Sequence, residues 1–305
     1  MVGSHARRWL VVPVLAISLW LGFGPPRSQG QPADEKLKQM EGKWKSIRWE
    51  RGPCVSKISS IAELKVRKGY KFADRAGLLV LLELTMNPST DRDLAVICPE
   101  NYSPLDMGSW FTTFEWDNIG FVKDDDKANL DGDALMDSMK ATQEQDNRNR
   151  QARGWPTLSL LGWAKSPFYD PQTNLLTWAT RVRASDQPNT STVNYNSRVL
   201  GREGVMSVNL IIDDQLLEQE LPNYREVLKG FNYAQGKRYA EWKAGDKVAA
   251  MGLTALIAGG AVGLAAKGGW IAKFGKAIIF GIIAIGGAIA ALFKKIFGIR
   301  SSSDA

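Results

Sequence analysis

The 305-residue chain contains a single histidine, His5, and it lies in an N-terminal segment built like a secretory signal. Once that segment is removed the chain has no imidazole, which excludes a Ser-His-Asp or Cys-His site and a His-ligated zinc or haem. Cysteine is almost as scarce: Cys54 and Cys98 are too few for a structural zinc cage. They suffice for one disulfide in an oxidising compartment, the alternative being two separate small buried residues. Tandem repeats and low-complexity segments are also lacking. Two long stretches near the C-terminus lack both proline and ionised groups.

Those stretches run from Val248 to Ala266 and from Ala277 to Phe293. Each is close to the roughly 17–25 residues with which a helix crosses a bilayer core, so 248–266 is expected as a transmembrane helix. Segment 277–293 is expected as a second transmembrane helix, completing a helical hairpin, or as an interfacial helix. Lys267, Lys273 and Lys276, with Trp270 and Phe274, suit a cytoplasmic turn between two spans, whereas Lys294, Lys295 and Arg300 favour one span followed by an interfacial segment. Small residues at Ala255, Gly259 and Gly263, and at Ala284, Ala288, Gly287 and Ala291, suit close helix packing within a hairpin or between copies in a homo-oligomer. At the other end, Arg7 and Arg8, the apolar run Trp9 to Gly24 and Ser28-Gln29-Gly30 form a signal peptide over 1–30, cleaved before Gln31; an uncleaved anchor is the other reading. A formal charge of +7 and a pI near 9.3 would ordinarily raise nucleic acid as a partner. Export argues against it, and much of the excess flanks the apolar stretches, where it suits anionic lipid headgroups.

Residues 31–247 are expected to form an exported α+β domain with an antiparallel sheet and packed helices. Ala62 to Val66 reads as a strand before a turn at Gly69, Asp74 as the cap of a short helix through Leu84, and Leu94 to Cys98 as a buried strand. Trp110 to Trp116, a turn at 117–120 and a return starting at Phe121 and Val122 read as a hairpin. A helix starting at Asp131 or Asp133 carries Leu135, Met136 and Met139 on one face and is stopped by Gly154-Trp155-Pro156. Thr157 to Lys165, Leu175 to Arg183, Val193 to Leu200 and Val205 to Ile212 then form a β-meander. A helix over 214–229 lies on the sheet, with Pro222 expected to break or restart it and Gly230 to end it.

The chain resembles the bacterial predicted membrane-anchored proteins grouped as domain of unknown function 2167. The likeness lies in Gly69-Tyr70-Lys71-Phe72, Gly120-Phe121-Val122-Lys123-Asp124-Asp125-Asp126, Arg153-Gly154-Trp155-Pro156, Val193-Asn194-Tyr195-Asn196, Leu200-Gly201-Arg202-Glu203-Gly204, Gly236-Lys237-Arg238-Tyr239-Ala240 and Asp246-Lys247-Val248-Ala249-Ala250. The resemblance implies a bacterial envelope protein with an exported domain, a C-terminal anchor and no established activity.

Of the constellations that suggest chemistry, Asp124-Asp125-Asp126 with Asp131 and Asp133 fails as a calcium loop. No register supplies alternating acids with glycine sixth and glutamate twelfth, so helix capping and a solvated turn are expected. Glu115 and Glu203 are the carboxylates conceivable for acid and base work. Strand alternation is expected to set Trp178, Thr180, Val182, Val193 and Tyr195 on one face and Arg181, Arg183, Asn194, Asn196, Arg198, Ser207 and Asn209 on the other. Guanidiniums with amides suit carboxylate or phosphate groups, so Arg181, Arg183, Asn194, Asn196, Arg198 and Asn209 form a candidate anion-binding face; the other reading is an ordinary solvated sheet face. No catalytic residue, metal or cofactor is expected. The leading expectation is a non-enzymatic binding or scaffolding domain on the periplasmic face of the inner membrane, with membrane lipid and an unidentified envelope protein as partners. The alternatives are an oligomeric membrane-remodelling or pore-like hairpin, and a carboxylate-dependent cell-wall hydrolase.

Overall fold

A computed structural model describes residues 31–103 and 109–258. The expected signal peptide and everything from residue 259 on, including 277–293, lie outside the described residues. In chain order the elements are α1 (Gln31–Ser46), β1 (Glu50–Arg51), β2 (Cys54–Ile58), β3 (Ala62–Val66), β4 (Tyr70–Asp74), α2 (Arg75–Leu84), β5 (Asp93–Pro99), β6 (Trp110–Asp117), α3 (Gly132–Ala152), β7 (Leu158–Asp170), β8 (Leu175–Ala184), β9 (Thr192–Leu200), β10 (Val205–Asp213), α4 (Leu217–Lys229), β11 (Phe231–Tyr233) and α5 (Leu253–Ala258). The fold is α+β. Eight strands form one sheet in the order β1-β4-β5-β6-β10-β9-β8-β7, and β11-β3-β2 form a second, all neighbours pairing antiparallel. Strands β7 to β10 are the expected meander.

Local chemistry explains the helix ends. The Asp74 carboxylate accepts from Gly77 N at 3.2 Å and starts α2, and Asp131 does the same for α3 through Asp133 N and Ala134 N at 3.0 and 3.2 Å. Gly154, at φ +67°, follows the end of α3. Pro222 does not break its helix: α4 runs straight through it. An interior proline costs about 3 kcal/mol. Leu217, Leu221, Tyr224 and Val227, each at most 4% exposed, contribute about 1.5–3 kcal/mol apiece by burial, so the packing prevails.

The hairpin expected between Trp110 and Val122 does not form. β6 pairs with β5 and β10, while Phe121 makes a parallel bridge to Val248, 127 residues away. Phe121 N donates to Lys247 O and Ala249 N to Phe121 O, both at 2.8 Å. Gly120 permits this approach, since a Cβ there would meet Lys247 O at 2.7 Å and its φ is +98°.

The large sheet is covered on both faces. One face packs on the small sheet and α4 through Phe72, Trp110, Phe114, Met206, Val208 and Tyr224. The opposite face carries α2 at one end, over Val96, Cys98 and Phe111, and α3 with α5 at the other, over Leu176, Trp178 and Leu200. Beside α2, the Lys71 ammonium lies 4.8 and 5.0 Å from the Trp44 and Trp49 rings and donates to the Glu100 and Tyr102 carbonyls, which satisfies a lysine only 6% exposed. The large sheet also separates the cysteines. Cys54 lies in the small sheet and Cys98 points to α2 on the far side, so both are free thiols and not a disulfide.

The folded body continues past the expected boundary at Lys247. Val248 joins the bridge, and α5 docks Leu253, Ile257 and Ala258, none more than 3% exposed, against the sheet. Asp126 caps α5, accepting from Leu253 N at 3.0 Å, Thr254 N at 3.1 Å and Thr254 Oγ1 at 2.8 Å. The capping expected of the aspartate run is therefore supplied by Asp126 and Asp131. Among the described residues no helix is long and apolar enough to cross a membrane.

Candidate functional site

Between α2 and α3 the sheet carries polar side chains in rows set by the strand register. Glu115, Ser207, Arg198 and Leu176 stand opposite one another in turn; so do Thr113, Asn209, Asn196 and Trp178, and then Phe111, Ile211, Asn194 and Thr180. Diagonal neighbours in adjacent rows are within reach of long side chains. Arg198 Nη1 donates to Asn209 Oδ1 at 2.8 Å, Asn209 Nδ2 donates to Glu115 Oε1 at 2.7 Å, and the guanidinium lies 4.7 Å from the Trp178 ring. The guanidinium is thus held from two sides. Burial raises the Glu115 pKa above the usual carboxylate range against the opposing pull of Arg198, and burial lowers that of Arg198 against the pull of Glu115 and Asp117.

A groove of about 250 Å³ opens over this network. Its floor is Trp178, Thr180, Asn194, Asn196 and Arg198; one wall is Met139, Thr142, Gln143 and Asp146 of α3, and Leu256, Ile257 and Ala258 of α5 close it. α3 is positioned by Asn147, whose side-chain amide pairs with both Leu158 N and Leu158 O at 2.8 Å, and by Trp163 Nε1 donating to Gly132 O at 3.1 Å. The rest of the polar second half of α3 is largely exposed to solvent. Trp178 is 2% exposed, and its Nε1 has no hydrogen-bond partner among the described residues. A buried donor left unpaired costs about 1–3 kcal/mol, which an acceptor reaching this indole N–H would recover. A second hollow, beside Tyr70, Trp110 and Glu220, offers no such donor, because Trp110 Nε1 already donates to Glu220 at 2.9 Å.

Of the six expected anion-binding residues, Asn194, Asn196, Arg198 and Asn209 share this face, and Arg181 and Arg183 do not. Trp178 pairs with Asn196 and Thr180 with Asn194, which puts Trp178 and Thr180 beside the amides and sends Arg181 and Arg183 to the opposite face. There Arg181 Nε contacts both Asp214 carboxylate oxygens at 3.0 and 2.9 Å and Nη1 donates to Trp163 O, while Arg183 is exposed. The carboxylates considered for acid and base work also stand apart, Glu115 bonded to Asn209 and Glu203 to Lys237 at the β9–β10 turn. Sequence reading missed Trp178 as a site residue, along with Thr142, Gln143 and the α5 wall. The signal available was Trp178 and Arg198 in neighbouring strands, two residues from forming a facing pair.

A family model described as "Protein of unknown function (DUF2167)" matches residues 51–290, and the chain belongs to that family. No curated protein matches. Among solved structures, the chain is similar to the solution structure of cyanobacterial PsbP (CyanoP) from Synechocystis, at 10% identity over 62% of this chain and 93% of that one. The TM-score is 0.34, a likeness too weak to carry an argument.

Proposed function

We propose that this member of the family is a non-enzymatic binding domain, exported and held at a membrane surface by its C-terminal apolar residues, with the groove between α3 and α5 as its binding site. One observation carries the reading: Leu256 to Ala258, part of the first apolar stretch, form a wall of the groove, so the site adjoins the chain that leads to the tether. The separation of Glu115 from Glu203 supports binding over hydrolysis. With α5 docked, only 259–266 remain of the first apolar stretch, about 12 Å as a helix against a hydrocarbon core of about 30 Å. The tether is therefore assigned to 277–293.

The test is alkaline extraction of membranes from cells producing the full chain, with protease added from outside the membrane. The wild type is expected in the pellet with its domain digested. Ile283→Glu with Ile285→Glu, each costing about 2.5–3.5 kcal/mol at a helix centre, is expected to release it. A wild-type chain in the wash, or a domain protected from external protease, overturns the reading.

A further inference from the structure

Resting on that choice of groove, we infer that its ligand is a small monocarboxylate with a short apolar body, bound through Arg198 and Trp178. The charge of the site sets the charge of the ligand. Arg198 is the one cation lining the groove among the described residues, Asp146 on the α3 wall is an anion, and Glu115 lies one amide from Arg198 through Asn209, so a ligand of more than one negative charge is disfavoured. A phosphate dianion would face one guanidinium already partly offset by a carboxylate. A carboxylate brings one charge and two coplanar acceptor oxygens, which suit the guanidinium fork.

The geometry fixes where that carboxylate sits. Nη1 of Arg198 is engaged by Asn209 Oδ1 and lies 3.4 Å from Ser197 O, whereas Nε and Nη2 have no partner among the described residues. The same guanidinium stacks on the ring of Trp178, whose indole N–H is buried and has no partner among the described residues. Arg198 therefore presents its free Nε and Nη2 at the groove floor, stacked on the ring of Trp178, whose buried N–H is the adjoining unpaired donor. The remaining surface divides by chemistry: Asn194 and Asn196 are the flanking amides, and Met139, Leu256 and Ile257 are an aliphatic wall. The volume, about 250 Å³, falls below the roughly 300–1,000 Å³ typical of drug-sized ligands, which limits the apolar body to a few carbons.

The experiment follows the indole ¹H–¹⁵N signals of the full chain in a non-ionic detergent, with the Trp178 signal assigned by its loss in Trp178→Phe. Pentanoate, pentanamide and propyl phosphate are titrated separately. Pentanoate is expected to move the Trp178 signal downfield, with the other two inactive. Arg198→Gln is expected to weaken pentanoate roughly 10- to 100-fold, the value of a hydrogen bond to a charged group, and Trp178→Phe, read by isothermal titration calorimetry because its indole signal is gone, roughly 2- to 10-fold. Should Arg198→Gln misfold, Trp178→Phe still decides, because the ring and its packing remain. A Trp178 signal moved by the amide or the phosphate but not by pentanoate overturns the carboxylate assignment and leaves the groove standing. Binding that leaves Trp178 unmoved and both variants unaffected overturns the groove as well. No response to any probe overturns the inference, and the extraction experiment judges the tether independently.

Discussion

Replacing Asp126 with alanine removes the acceptor for Leu253 N, Thr254 N and Thr254 Oγ1, which lie at 3.0, 3.1 and 2.8 Å. An N-cap acceptor is worth about 0.5–2 kcal/mol. Helix α5 has a second hold, the burial of Leu253 and Ile257 at 0% and 3% exposure, each worth about 1.5–3 kcal/mol. The cap is the smaller share, so α5 stays docked in Asp126→Ala while its local opening becomes easier by up to about 2 kcal/mol, roughly 30-fold in the opening equilibrium. Amide hydrogen exchange measures this directly. Peptides spanning 253–258 are expected to exchange roughly 2- to 30-fold faster while peptides from β9 keep their wild-type rates. Asp126→Asn keeps an acceptor oxygen and is expected to show a smaller change. Unaltered exchange at 253–258, or an equal rise throughout the domain, refutes the division of α5 stability between cap and burial.

Tyr224 is fully buried, with its hydroxyl 2.8 Å from Ser197 Oγ and 3.2 Å from Val208 O. Tyr224→Phe leaves the buried serine short of a partner at a cost of about 1–3 kcal/mol, a fall in Tm of roughly 2–10 °C by calorimetry; an unchanged Tm would show the hydroxyl network to be dispensable. The Asp246 carboxyl is held at about 2, against an ordinary 3.8, first by the two hydrogen bonds from Arg202 at 2.7 and 2.8 Å and then by Lys243 N. A depressed folded pKa means stability present above the unfolded value and lost as pH falls through the folded one. The advantage of wild type over Arg202→Gln is therefore expected to shrink between about pH 4 and pH 2 in acid-unfolding curves, and a gap independent of pH contradicts the pairing. For the thiols, Cys54 is part-exposed, whereas burial pushes Cys98 up to about 12. Maleimide labelling is expected to modify one thiol per native chain and two after denaturation without reductant. Two labels on the native chain, or none after denaturation, would count against this arrangement.

Strands and helix starts were readable where the signal is local. Alternation marked β3 and the meander, and Asp74 and Asp131 marked two helix starts. The facing of the meander was not readable, because both sides of β8 are covered and polarity no longer separates them: Leu176 and Trp178 meet α3 and α5 while Ala179 meets the small sheet side. One step of parity then moved Trp178 from the site to the presumed core and Arg181 the other way. The Phe121 bridge was hidden for a different reason, since its partner is 127 residues distant and leaves no trace in nearby turn residues. The apolar run from Val248 read as one uniform stretch, but Leu253 and Ile257 are buried on the domain's own sheet.

The bridge at Phe121 also governs how the molecule responds to mechanical load. A tug from the C-terminal side first peels α5 from the sheet and undoes the Asp126 contacts, and only then meets the two backbone bonds that clasp Phe121. Those bonds act as strain relief, as on a cable where it enters its housing. Tension would open the groove long before it reached the eight strands behind it.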